Sequence, residues 1–168
     1  MRLRSLCELP ERGQPRNMTR LSRTARTRNA DPQSVPSRTA EQDLVTVDTT
    51  WGKLQPLQPV DGIPTVGELE LVALVNDGAL LVDTRVADSR GGLTIPGAVN
   101  IPHDQILDHR EELNGDGVSI LFCNGPQCPQ TPDALRALKQ AGQPLDRLVY
   151  YRGGLHDWVT LGMPTTAV

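Results

Sequence analysis

The sequence predicts an α/β domain of three layers, a short parallel sheet flanked by helices, behind a disordered basic N-terminal extension. Three observations carry that prediction. Strand-like and helix-like segments alternate from about residue 60 onward. The strand-like segments, ALLVD and SILF above all, are continuous apolar runs, as strands covered on both faces require. Residues 1–40 hold nine arginines, no lysine and three acids (Glu8, Glu11, Asp31), a net +6, whereas the remainder nets −9.

The chain of 168 residues is about one domain long, and with 38% hydrophobic but only 3% aromatic residues its core must be built from Leu, Val, Ile and Ala. No run approaches the ~18 apolar residues of a membrane span, so no membrane partner is expected. Cys7, Cys123 and Cys128 do not make the even set of a secreted disulfide framework. A reducing, cytoplasmic setting is the simpler expectation. Residues 1–45 are rich in Arg, Ser, Thr, Pro and Gln and too poor in large apolar residues to offset ordering entropy. Their arginines are scattered with no aromatic between them, which favours a solvated tail over a nucleic-acid partner. An Arg-rich, acid-poor start also matches an organelle transit peptide, and Met18 could be the true start. Both alternatives, and a periplasmic location, stay open. Residues 46–60, with Trp51, Leu54 and Leu57, are expected to run extended over the surface of a domain spanning 61–168.

In IPTVGELELVALVND, Val66, Leu69, Val72, Leu74 and Val75 recur mostly at helical spacing, with Thr65 as N-cap and Gly78 just past the end. ALLVDTR follows as a central strand running into Asp83 and Arg85, at the carboxyl edge of the sheet where such folds place their sites. IPGAVNIPH predicts a turn, a short strand over 98–101 and a proline stop; DQILDHREEL predicts a short amphipathic helix with Ile106, Leu107 and Leu113 inward. Beyond the next strand and helix, Gly142 marks a helix end and RLVYY a further strand. RGGLHDWVTLG then predicts a two-glycine turn and a last helical turn or two, with Trp158 in the core.

The stretch SILFCNGPQCPQTPDA is where chemistry is expected. A buried strand delivers Cys123 into a tight Gly/Pro loop at the amino end of a helix. Free amide N–H groups and the helix dipole there stabilise a thiolate and lower its pKa. Gly125 has the backbone freedom to let the loop curl around the sulfur. Cys128, at or near the helix start, would share the same field. The competing reading is a pair of inert buried cysteines flanking a turn.

On three marks in order, residues 61–168 resemble a single rhodanese domain. They are LVDTR followed by IPGAVNIP, a strand ending in Cys123 and leading through its loop to a helix, and YYRGGLHDWVTLGMP, which is similar to the family's terminal GG-x-x-x-W-x-x-x-G-x-P segment. The resemblance implies a rhodanese-like fold and a sulfurtransferase that moves sulfane sulfur through a Cys123 persulfide to a thiol or protein acceptor, with no cofactor and no metal. The backbone amides of Asn124, Gly125, Gln127 and Cys128 would form the persulfide- and anion-binding loop. A thiol activated by a lowered pKa needs no histidine base, so His103, His109 and His156 are expected at the surface. Asp83 and Arg85 match the family's Asp-x-Arg, as substrate contacts or as a buried ion pair, and Arg152 could bring positive charge to the loop. The implied partner is a small sulfur donor or a persulfidated protein. The family commonly has a basic residue after the cysteine, and 124–129 contain none, which argues against thiosulfate, a dianion, as the best donor. Pro126 removes one amide from the cradle, and Thr94 stands where the family often has a His.

Cys128 is a candidate resolving thiol: its attack on the persulfide would expel hydrosulfide and leave a Cys123–Cys128 disulfide. The alternative function is a non-catalytic rhodanese-fold binding module or thiol redox sensor. A cysteine phosphatase is disfavoured because the next Arg after Cys123 is Arg136, well into the helix.

Overall fold

The computed structural model describes residues 53–115 and 117–168, together with Ala40 and two short strands upstream, β1 (Ser37–Arg38) and β2 (Val45–Thr46). These two strands pair antiparallel, Ser37 opposite Thr46, inside the stretch read as an extension. The rest of that extension, with Cys7 and Met18, and the start of the following linker, with Trp51, lie outside the described residues.

From residue 65 the chain runs β3 (Thr65–Val66), α1 (Glu68–Asn76), β4 (Leu80–Asp83), β5 (Leu93–Thr94) and β6 (Val99–Asn100). It continues through β7 (Ser119–Phe122), α2 (Gln130–Gln140), β8 (Leu148–Tyr151), α3 (Gly154–Thr160) and β9 (Thr166–Ala167). Five strands form one parallel sheet in the order β3-β8-β7-β4-β6.

β7 lies at the centre, paired in register with Leu80–Asp83 on one side and Leu148–Tyr151 on the other. Alternate residues of the strands feed two cores. Val82, Leu121 and Tyr150 pack with Ala134, Leu135 and Leu138 of α2 and with Ile63 and Ile106. Leu81, Ile120, Phe122 and Tyr151 pack with Leu71 of α1 and with Leu155 and Trp158 of α3. The apolar runs are continuous because helices cover both faces. Each of Ile120, Leu121 and Phe122 is fully buried and contributes about 1.5–3 kcal/mol. No helix among the described residues is long and apolar enough to cross a membrane.

Two local expectations are corrected. Thr65 is not an N-cap: it belongs to β3, opposite Tyr150, and its hydroxyl donates to the Leu57 carbonyl at 2.5 Å. Gly67 caps α1 instead, and its N–H is satisfied by Glu70 Oε2 at 3.1 Å. Pairing with β8 outweighs the local cap signal, since two ladder strands bury what one hydroxyl would only cap. Second, residues 103–111 form consecutive turns rather than a helix, with i→i−3 bonds such as Gln105 N to Pro102 O and Asp108 N to Gln105 O. Ile106 and Leu113 are buried as expected, but Leu107 is exposed. In addition, β5 and β9 pair antiparallel, which brings Thr166 and Ala167 back to Thr94 and Leu93.

Arg85 anchors the carboxyl edge of the sheet. It is fully buried, and its Nε and Nη2 reach the two Asp83 carboxylate oxygens at 2.8 and 2.7 Å. Nη2 also donates to Leu93 O, and Nη1 to Arg90 O and Asn124 Oδ1. Thr94, where the family often has a His, donates its hydroxyl to Asp83 Oδ2 at 2.8 Å. Arg90 Nε stands 3.5 Å from the same oxygen and takes up only part of its charge.

Arg85→Met should therefore lower unfolding free energy by about 3–5 kcal/mol, because it strands a buried carboxylate. Urea denaturation checks this, and Asp83→Leu combined with Arg85→Met should recover part of the loss. A single variant as stable as wild type would show the pair to be energetically idle.

Candidate functional site

Cys123 directly follows the central strand and opens a loop that ends at Pro129, the N-cap of α2. The loop is held from three sides. Behind it, Asn124 accepts from Arg85 Nη1 at 2.9 Å and donates to Ser89 O at 3.1 Å. Below it, the first amides of α3 donate to its carbonyls, Leu155 N to Cys123 O at 3.0 Å and His156 N to Asn124 O at 2.7 Å. In front, Gln55 N donates to Pro126 O at 2.7 Å.

The two-glycine turn of β8–α3 is the counterpart of this loop. Gly154 sits at φ +59°, and a Cβ there would lie 2.6 Å from Gly125 N and collide with the Cys123 carbonyl oxygen. The approach is backbone to backbone, so nothing larger than hydrogen fits. Gly125 is equally confined, since a Cβ on it would meet His156 Cβ at 2.9 Å.

Inside the loop the two thiols are unequal. Burial pushes the Cys123 thiol up, but hydrogen bonds from the Cys128 thiol, from the Thr131 hydroxyl and from the amides of Thr131 and Gly125 outweigh it. The result is a pKa lowered from 9.0 to about 7. Cys128 is pushed well above the ordinary thiol range by its burial, by donating to Cys123 and by the charge there, although the amides of Gln130 and Asn124 oppose this. The pair thus shares one proton, which Cys128 keeps. Both are free thiols.

This arrangement redistributes the expected cradle. Of the four loop amides, that of Gly125 reaches Cys123, that of Asn124 reaches the Cys128 sulfur, and that of Cys128 donates to Gly125 O at 3.0 Å. Gln127 is half-buried in the same turn. Turn closure between Gly125 and Cys128 takes the Cys128 N–H away from the sulfur. Cys123 itself is closed off from water, at 1% exposed.

Two residues at this site carried no signal of their own in the sequence, Thr84 and Thr131. Thr84 follows β4, and its hydroxyl lies 2.9 Å from Phe122 O and 2.7 Å from the Thr131 hydroxyl. Only the pairing of β4 with β7 brings them together, and no spacing rule announces that.

The remaining candidates lie around the loop. Asp83 and Arg85 are buried and paired with each other. Arg152 gives Nε and Nη2 to Gln55 O at 3.1 and 2.8 Å, so its charge rests on the strap of residues 53–60. The Tyr150 phenol is buried without a hydrogen-bond partner among the described residues, and is pushed up by burial and then by the charge of Cys123. His109 is half-buried and meets Glu112 at 2.6 Å. His103 and His156 are likewise half-buried rather than at the surface; His156 packs on Gly125 and pairs with Asp157 at 3.0 Å.

Comparison with known proteins agrees with the fold. An HTH-type transcriptional regulator of Mycobacterium tuberculosis is 37% identical over 84 residues, which is 50% of this chain and 36% of that protein. The chain thus spans only about a third of the curated relative it matches. Among solved structures, the BH2092 protein of Bacillus halodurans is 25% identical with a TM-score of 0.53, over 62% of this chain and 77% of that one. The rhodanese-like domain of the Anabaena Alr3790 protein superimposes with a TM-score of 0.51 at 22% identity, over 62% and 80% of the two chains. Thiosulfate sulfurtransferase from Pseudomonas aeruginosa gives a TM-score of 0.51 at 24% identity, over 62% of this chain and 20% of that one. At these identities the last two speak for the fold alone. The family model of the rhodanese-like domain matches residues 69–161, more than half of the chain, so the protein belongs to the rhodanese-like domain family.

Proposed function

We propose that the protein is a sulfurtransferase that carries sulfane sulfur as a persulfide on Cys123. The observation that supports this most directly is a buried sulfur whose pKa is drawn down to about 7 by neutral hydrogen-bond donors at a helix N-terminus. The Cys123 thiolate attacks the outer sulfur of a donor R–S–SH; the donor S–S bond breaks, R–S⁻ leaves, and Cys123–S–SH remains. An acceptor thiolate then attacks that outer sulfur, takes it up as its own persulfide and returns Cys123 to the thiolate. Among the described residues of the loop no cation meets the donor, and Arg152 is engaged by the strap. Thiol persulfides, small or protein-borne, therefore fit better than thiosulfate.

Cys128 serves this chemistry first as proton holder and then as resolving thiol. Persulfide formation removes the charge from the inner sulfur of Cys123, and with it two of the three causes that keep Cys128 protonated. The amides of Asn124 and Gln130 already face the Cys128 sulfur and can hold it as a thiolate. Cys128–SH and Cys123–S–SH then yield a Cys123–Cys128 disulfide and H₂S: the sulfane sulfur is reduced and the two thiols are oxidised, with no outside oxidant.

A second reading, a non-catalytic module or thiol sensor, is favoured by the likeness to a transcriptional regulator. In that case the sulfur state of the loop is read by a partner instead of being passed on. Asp83 and Arg85 act structurally under either reading.

The rate of Cys123 alkylation should fall as pH drops through about 7, because the thiolate is lost there, and Cys128→Ala should move that inflection upward by removing an S–H donor. An inflection near 9 in the wild type would contradict the activated thiol. Mass spectrometry after polysulfide treatment should show a Cys123 persulfide giving way to a species two hydrogens lighter than the dithiol. A persulfide that persists equally in wild type and Cys128→Ser would rule out resolution. Turnover is expected with glutathione persulfide above thiosulfate. No turnover with either, and no persulfide on Cys123, would leave the module reading.

A further inference from the structure

Thr84 and Thr131 are both fully buried, and their hydroxyl oxygens lie 2.7 Å apart. The Thr84 hydroxyl also lies 2.9 Å from Phe122 O, which the Thr84 amide reaches at 2.9 Å as well. The hydroxyl and the amide of Thr131 both act on the Cys123 sulfur and draw its pKa down. The chain of contacts is therefore Phe122 O, Thr84, Thr131 and Cys123, and the two hydroxyls have only one hydrogen each to place along it.

Counting hydrogens leaves two arrangements. With Cys123 as a thiol, Thr84 donates to Phe122 O and Thr131 donates to Thr84, while the S–H is directed at Cys128 O, 3.5 Å away. With Cys123 as a thiolate, the sulfur only accepts. The Thr131 hydrogen turns to it, and the Thr84 hydrogen turns from Phe122 O to the Thr131 oxygen. Phe122 O is not orphaned by that turn, because the Thr84 amide still serves it. Both states thus keep the two hydroxyls and Phe122 O satisfied, which avoids a penalty of about 1–3 kcal/mol per lost partner. The reorientation needs only rotation about Cβ–Oγ bonds, with no movement of the strands.

We propose that Thr131 and Thr84 form a two-hydroxyl relay that reverses when Cys123 ionises, Thr131 donating to the sulfur and Thr84 acting as the positioning residue behind it. The relay does the work that a loop cation would otherwise do. It holds a charge on the sulfur without attracting anions, and it links the ends of β4 and β7 to the ionisation of one thiol. The inference rests on Cys123 being the ionising group of the proposed function, and not on which donor it meets.

The test is a pH titration of the full-length protein, following thiolate absorbance and the alkylation of the Cys123 peptide. Thr131→Val keeps the shape and removes the donor, and should raise the inflection by about one pH unit. Thr131→Ser should restore it. Thr84→Val should shift it in the same direction by less, and Thr84→Ser should restore it; a merely structural role for either residue would not produce this pattern of rescue. An inflection unmoved in either valine variant overturns the relay. Where valine prevents folding, the corresponding alanine variant carries the same expectation. Sulfur transfer from glutathione persulfide is assayed separately on the wild type. Shifts without turnover keep the relay and refute the transfer reading, whereas turnover without shifts does the reverse.

Discussion

The buried guanidinium of Arg85 is the constraint on which the site depends. A guanidinium carries five N–H groups, and here all five are taken: two by Asp83, one each by the carbonyls of Leu93 and Arg90, and one by the Asn124 side chain. Desolvating such a charge is offset only by a full set of partners. The partners come from β4, β5, the turn at residues 87–90 and the cysteine loop, so satisfying one side chain fixes four segments. Asn124 is the link that matters for chemistry. Held by Arg85 from behind, it sets the direction in which the loop leaves Cys123. A guanidinium with no free N–H has nothing to offer a ligand, which places Arg85 in the scaffold.

The loop answers a different electrostatic problem with neutral groups. Lowering a thiol from 9.0 to about 7 takes a net stabilisation of about 3 kcal/mol, and burial adds to what must be overcome. One hydrogen bond to a charged acceptor supplies about 1.5–3 kcal/mol, so a single donor would not cover both. Four converge: the Cys128 thiol, the Thr131 hydroxyl, and the amides of Thr131 and Gly125. Donors of this kind stabilise a charge already present but exert little pull on a distant anion. A cationic loop would do both. Under the proposed sulfur transfer the distinction would bear on specificity, because a dianion would gain nothing on approach, while a persulfide with spread charge would find the same donors at short range.

Much of this was legible in the sequence, and the reasons are specific. ALLVD and SILF are apolar without alternation because helices lie on both faces, and that pattern alone placed them inside a parallel sheet. Cys123 was legible because a strand, a Gly/Pro loop and a helix surround it in order. Thr65 was misread because a residue competent to cap a helix is also competent in a strand, and the choice is made by Tyr150, eighty-five positions away. Residues 103–111 were misread because Ile106 and Leu113, seven positions apart, fit helical spacing, whereas the chain there closes i→i−3 turns and leaves Leu107 exposed. Thr84 and Thr131 stayed hidden because a hydroxyl acquires its role from a neighbour 47 residues away, and the split of loop amides between two sulfurs depends on a turn closure that composition does not express.

Burial of the sulfur sets the last condition. Cys123 is 1% exposed, so any external donor requires some part of its surroundings to yield. Moving β7 or α2 would uncover the fully buried Leu121, Phe122 and Leu135, at about 1.5–3 kcal/mol for each side chain. Moving α3 would break the amide bonds to the Cys123 and Asn124 carbonyls and unseat Trp158 from the core. The outer part of the strap, residues 53–56, is held to the loop and to Arg152 through Gln55, by hydrogen bonds worth about 0.5–1.5 kcal/mol each, with Leu54 exposed, whereas Val60 at the other end is buried in the core. It is therefore the contact of lowest cost to release, and local opening draws on such contacts first. Its release would free the Pro126 carbonyl and the Arg152 guanidinium together, so the same movement that loosens the front of the loop also returns a cation to its edge.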